Sequence, residues 1–211
     1  VHSYTFSEYL YELLSSGAER LSLDNETYEK VQAAAVDLLN WGAEAQKLTE
    51  TNTEMLANSE LIAAWESKST IFVIPEDKYA MSEETNKAVQ FVDVSIDFDG
   101  KIGMAFTISL NPGMDHFGIR AIIDIAGDEY VIESTAFDTI INNELELLVI
   151  RFDTISALLY DEAFTVCIYD GTTAVSGRLT YSVNSFISDN YNDFYKAVYC
   201  CNQSLVALKE I

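Results

Sequence analysis

Positive charge is scarce in this sequence. Twelve Lys and Arg stand against 34 Asp and Glu in 211 residues, a formal net charge of −22. A surface of that sign repels phosphate backbones and anionic headgroups, which argues against nucleic-acid binding and against electrostatic docking on membranes. The acids form no tail: residues 1–66 carry 12 acids and 3 bases, and residues 67–211 carry 22 and 9. Such spreading reads as a soluble, self-repelling surface, with cation binding as the alternative. No apolar run approaches the length of about 20 residues that a membrane-spanning helix needs.

Cysteine and histidine are nearly as scarce. Cys167, Cys200 and Cys201 are odd in number and two are adjacent, so they make no disulfide framework. With only His2 and His116, and no C-x-x-C, no zinc site of the usual kind can be assembled. The thiols read as buried small apolar groups, which suits a cytoplasmic chain and equally a secreted protein of an anaerobe. A Ser or Cys nucleophile needs a His base held by an acid. His2 sits at a terminus, and His116 lies in Asp115-His116-Phe117 just after a Pro-Gly turn, where it reads as a loop residue. Nine glycines form no phosphate-cradling loop, and G-x-S-x-G and H-E-x-x-H are both missing. Val1–Ser16 lacks the basic and apolar regions of a signal peptide, and without an initiator Met the chain reads as a piece of a longer or processed protein.

What is present is strong patterning. Phe6, Tyr9, Leu10, Leu13 and Leu14 recur at helical spacing, Thr5 and Glu8 have the spacing of a capping box, and Gly17 supplies a stop. A second helix is expected from about Asn25, its N-cap, with an apolar face of Tyr28, Val31, Ala35, Leu38, Gly42, Ala45 and Leu48. Thr49–Thr53 ends it, and a short helix capped by Ser59 is expected over Ser59–Glu66.

From Thr70 the period becomes two. Ile71–Ile74 reads as a strand ended by Pro75, and Lys78–Lys87 as a polar loop. Val89–Phe98 and Ile102–Leu110 flank Asp99-Gly100, a strong hairpin signal. Along the first, Val94, Ile96 and Phe98 alternate with Asp93, Ser95 and Asp97, so one face is buried and one is wet. Asn111-Pro112-Gly113 is a turn. Ile119–Ile125 and Tyr130–Ser134 pair around Gly127-Asp128, Leu145–Phe152 is a strand, and Asp153–Tyr160 a helical turn. Phe164–Tyr169 and Ala174–Tyr181 pair around Asp170-Gly171. About seven or eight strands joined by short turns point to an antiparallel sandwich or barrel. Ser182–Ile211 returns to helical spacing.

The two helical ends resemble one another. Ser3–Leu10 aligns with Thr180–Ile187 at an offset of 177, and Tyr28–Leu48 with Tyr191–Ile211 at an offset of 163. The alignment puts Cys201 on the core face and matches Cys200 to a solvent-side Asp37. A repeat of this kind has a strand-rich part followed by a helical hairpin as its unit. Residues 1–66 are then a helical segment ending a preceding unit, and 70–211 a β-sandwich-like unit closed by a C-terminal helical hairpin. The fold expected is α+β, an antiparallel sandwich-like sheet domain packed with helical hairpins at both ends.

The same residues carry a family resemblance. Tyr4-Thr5-Phe6, then Val36-Asp37-Leu38-Leu39-Asn40-Trp41-Gly42-Ala43-Glu44-Ala45-Gln46, then Asn52-Thr53 and Leu56-Ala57-Asn58 resemble a repeated module of unknown function of the "YSV…VDLLNYGAAAQ…NT…LAN" type. That module occurs in large secreted or surface proteins of anaerobic gut bacteria, some of which also carry dockerin or glycan-active domains. Trp41 stands here for the usual Tyr, and the second copy keeps Tyr181-Ser182-Val183 but loses the Asn-Tyr-Gly core. The resemblance covers roughly 60 residues well, implies an extracellular or cell-surface location, and carries no catalytic residues to transfer.

The functional expectation follows from these readings. The chain is read as a non-catalytic structural or binding module of a secreted or cell-surface multidomain protein. No catalytic, cofactor-binding or metal residue is assigned, no cofactor is expected, and the expected partner is a polysaccharide or a protein at the cell surface. Neither nucleic acid nor membrane insertion is expected. Two alternatives stay open. A carbohydrate-binding module would show exposed coplanar aromatics on a sheet; Trp41 reads as packing, Trp65 as either packing or exposed, and one of Tyr9 and Tyr11 as exposed. A glycoside hydrolase would need two carboxyls across a cleft, for which Asp93, Asp97 and Asp99 facing Asp124 and Glu133 are the candidates. Calcium could use the Asp97-x-Asp99-Gly100 turn or Asp128-Glu129, although neither continues into an EF-hand loop.

Overall fold

A computed structural model describes residues 5–75, 87–98, 102–142, 145–153 and 155–210. His2, the start of the first repeat copy, most of the 78–87 loop and the Asp99-Gly100 turn lie outside the described residues. The fold is α+β, with a pair of antiparallel sheets in a sandwich-like arrangement. The chain forms two compact units: Val1–Ile74 with Asn190–Ile211, and Pro75–Asp189. This division groups the last helix with the N-terminal helices, where the sequence grouped it with the sheets.

The first unit is helical. Helix α1 (Phe6–Ser16) starts at the expected capping box: Thr5 Oγ1 accepts from the Glu8 amide at 3.2 Å, and the Glu8 carboxylate accepts from the Thr5 amide at 2.7 Å. A short α2 (Ala18–Leu21) leads to α3 (Asn25–Leu48), whose cap is Asp24 rather than Asn25, accepting from the Thr27 amide. The buried set of α3 is Ala34, Ala35, Val36, Asp37, Leu39 and Ala43. The expected face is displaced because α3 has helical neighbours on two sides, α1 and α6 (Asp193–Lys209). Leu10, Leu14, Ala35, Val36 and Leu39 form one cluster, while Phe6 and Tyr9 of the predicted stripe are exposed.

Two expected elements here differ. The short helix is only α4 (Ala63–Glu66), preceded by Ile62 and without a side-chain cap bond. Ile71–Ile74 is not a strand: among the described residues no strand pairs with it, and Phe72 instead meets Tyr199 edge-on at 5.5 Å.

The second unit holds two antiparallel sheets. The first has the order β1-β2-β6-β5, from β1 (Val89–Phe98), β2 (Ile102–Leu110), β5 (Asp138–Asn142) and β6 (Leu145–Phe152). The second runs β4-β3-β7-β8, from β3 (Ile119–Ile125), β4 (Asp128–Glu133), β7 (Phe164–Asp170) and β8 (Thr173–Ala174), with β9 (Leu179–Tyr181) also on β7. The inner faces meet through Phe106 and Phe164 at 5.5 Å and Tyr130 and Phe152 at 5.0 Å. β1 carries a bulge between Phe91 and Asp93, which restores Val94 and Ile96 to the inner face after the Phe91-Val92 break in alternation. Gly103 permits the closest backbone approach: a Cβ there would stand 2.7 Å from the Phe152 carbonyl oxygen.

The sequence passed over β5 and drew Ala174–Tyr181 as one strand. Ser176 breaks it. Its hydroxyl accepts from the Ile168 amide at 2.8 Å and donates to the Gly177 carbonyl at 2.7 Å, taking the ladder's place locally. The expected turn over Asp153–Tyr160 is a single 3₁₀ turn at Ala157–Leu159. Helix α5 (Val183–Asn190) follows Ser182, whose hydroxyl accepts from the Ser185 amide at 3.0 Å. Ser182 is the residue aligned with Thr5 by the 177 offset, so both proposed copies open on a hydroxyl cap.

Candidate functional site

In the helical unit the motif residues converge on the loop after α3. The Gln46 side-chain amide donates to the Asn52 and Met55 carbonyls at 3.1 and 3.0 Å, and its oxygen accepts from the Ala57 amide at 2.6 Å. Tyr11 donates its hydroxyl hydrogen to the Ala57 carbonyl at 3.1 Å and accepts from the Glu60 amide at 2.9 Å. Asn58 donates to the Asn40 side-chain oxygen at 2.9 Å. Gly42 lets the loop close down, since a Cβ there would sit 3.0 Å from Ala57 Cβ. Asn40, Gly42, Gln46, Asn52, Ala57 and Asn58 thus act as a clasp folding residues 49–60 onto α3. Beside the clasp lies an open groove of about 480 Å³, lined by Thr5, Glu8, Tyr11, Gln46, Met55 and Glu60 among others.

Asp37 is the second motif residue with a defined task. It is fully buried, not on the solvent side as the sequence alignment implied. Its carboxylate accepts from the Ser69 hydroxyl at 2.7 Å and the Thr70 amide at 3.1 Å, tying the chain after α4 back to α3. Cys200 and Cys201 are both buried, as the reading of the thiols as buried apolar groups expected, although the alignment matched Cys200 to a solvent-side position. Burial first, then the Asp37 charge, pushes the two thiols up to about 11 and about 12, so both stay protonated at neutral pH. A protonated buried thiol is a poor nucleophile. The three cysteines are free and buried.

In the sheet unit the candidate acids do not face one another. Asp93 and Asp97 pair with Thr107 and Gly103 on the outward face of the first sheet, opposite to the side where Phe106 packs. Asp124 and Glu133 pair with Thr165 and Arg120 on the outward face of the second. The packed layer separates the two sets, so the acid pair drawn from the sequence is not assembled; Asp99 lies outside the described residues. Asp97 and Asp138 both hold Arg151, and this half-exposed ion triad contributes little to stability. Among the described residues no group of three or more His, Cys, Asp or Glu could hold a metal ion.

His116 sits in the loop between β2 and β3, its ring 4.2 Å from that of Phe117. The exposed aromatics among the described residues are Phe6, Tyr9, Phe117 and Tyr191, and none lies on a strand. Tyr9 is exposed while Tyr11 turns inward, and Trp65 packs at 6.4 Å from Tyr11, with Trp41 half-buried. No helix among the described residues is long and apolar enough to cross a membrane. Sequence reasoning missed the tasks of Gln46 and Asp37, although both stood in the motif it singled out.

The chain matches no model of a known protein family. It matches no curated protein and no solved structure either.

Proposed function

We propose that this chain is a non-catalytic structural or binding module of a secreted or cell-surface multidomain protein. The observation that carries the reading is the clasp. The polar residues of the most distinctive motif spend their hydrogen bonds on their own chain, as parts of a scaffold do, even where Gln46 and Asn52 border the groove. The protonated thiols and the separated carboxylates support the same reading. So does the sequence resemblance to repeated modules of bacterial surface proteins, from which the location is taken.

A glycan-panel binding assay run beside a hydrolysis screen tests it. The expected result is no turnover of any glycan, with or without binding. Hydrolysis that disappears on substituting Asp124 or Glu133 would overturn the reading in favour of an acid-pair enzyme.

A further inference from the structure

The strand edges of the two sheets are unequally guarded. At one edge of the first sheet, β1 is bulged, carries Asp93 and Asp97, and is tied at its start by the Val89 amide donating to the Val175 carbonyl at 3.0 Å. In the second sheet the edge strand β4 holds Asp128, Glu129 and Glu133 among six residues, and β8 and β9 are only two and three residues long. Bulges, inward ties, charges and shortness are the usual devices against edge-to-edge pairing. The remaining edge, β5, is the least guarded. Its register with β6 is unbroken, it contains no Lys, Arg, Pro or Gly, and its one acid, Asp138, is held by Arg151. All five of its residues are exposed, Ile141 by 80% and Ile140 by 42%, and Leu145 beyond the turn by 66%.

We propose that β5 is a self-association edge, pairing antiparallel with β5 of a second copy of this chain across a two-fold axis through Ile140. The sequence of the strand is self-complementary in that register. Ile140 meets Ile140 of the other copy, Thr139 meets Ile141, and Asp138 meets Asn142, so no like charges are opposed. Shifting the register by two residues would move the two-fold axis to Thr139, set Asp138 against Ile140 and leave two residues of each strand unpaired. The pairing joins two four-stranded sheets into one of eight. It buries a small interface, so association is weak. The net charge of −22 on each copy opposes it at low ionic strength.

Sedimentation and light scattering of the full chain test this. The expected mass climbs from 23.6 kDa toward twice that value as concentration approaches about 1 mM. The climb is steeper in about 0.5 M salt, where screening shortens the Debye length to a few ångströms. Ile140→Lys and Ile141→Lys each place like charges near the axis and weaken association by about tenfold or more, whereas Val131→Lys on β4 leaves it unchanged. Hydrogen exchange at 138–142 slows with concentration in the wild type and not in the β5 variants. Near-UV circular dichroism of each variant checks that it is folded. A wild type monomeric throughout, or self-association that survives both β5 variants or is lost with Val131→Lys, would overturn the proposal.

Discussion

Substituting Gln46 by Met tests the clasp directly. The replacement keeps the length and the apolar stem and deletes three hydrogen bonds: two to the Asn52 and Met55 carbonyls and one from the Ala57 amide. The two carbonyls lie in an exposed loop and regain water, so each contributes only about 0.5 kcal/mol. The Ala57 amide is half-buried behind Gly42 and is left without a partner, which costs about 1 kcal/mol. The sum is about 2 kcal/mol. Both tryptophans, Trp41 and Trp65, belong to the helical unit, so their fluorescence reports that unit during urea unfolding while the sheets stay silent. The expected result is a lower urea midpoint at unchanged slope, with faster proteolysis between residues 49 and 60. A loss under about 0.5 kcal/mol would refute the idea that the motif is a structural fastening.

Two further perturbations follow from buried groups. Ser176→Ala leaves the amide of fully buried Ile168 unpaired and destabilises the sheet unit by about 1–3 kcal/mol, read by urea unfolding followed by circular dichroism; a neutral result would mean the strand break does not depend on the hydroxyl. Cys200 and Cys201 should resist alkylation at pH 8 in the native chain and react once it is unfolded. Because burial raises both thiols above the ordinary value of 9.0, unfolding is favoured as pH rises past 9 toward 11 to 12. The helical unit should therefore lose stability in that window and not below it, and a midpoint flat from pH 8 to 11 would contradict the burial.

The periodic parts of this fold are written locally. The capping box at Thr5 and Glu8, the limits of β1, β2, β3 and β6, and the Asn111-Pro112-Gly113 turn (its Met114 amide donating to the Asn111 carbonyl at 3.1 Å) all follow from short-range preferences that neighbours in space do not alter. Sequence spacing also separated sheet-like from helical chain near Ser182, but not at Thr70: the strand it drew at Ile71–Ile74 is absent and the first strand described starts at Val89. It could not identify β5, because a five-residue strand at an edge has no buried face to print a pattern on its sequence.

What tertiary structure alone decided is which side of each element is covered. In the repeat alignment Asp37 and Cys200 read as solvent-facing while α3 and α6 are each imagined with one buried stripe. They are buried because each helix packs against the other, and α3 against α1 as well. Ile71–Ile74 has the composition of a strand but, among the described residues, no strand beside it, and Gln46 has the composition of a surface residue but three backbone partners. Hydrophobic period is a property of one segment. Burial, pairing and the satisfaction of a polar side chain are properties of two segments brought together.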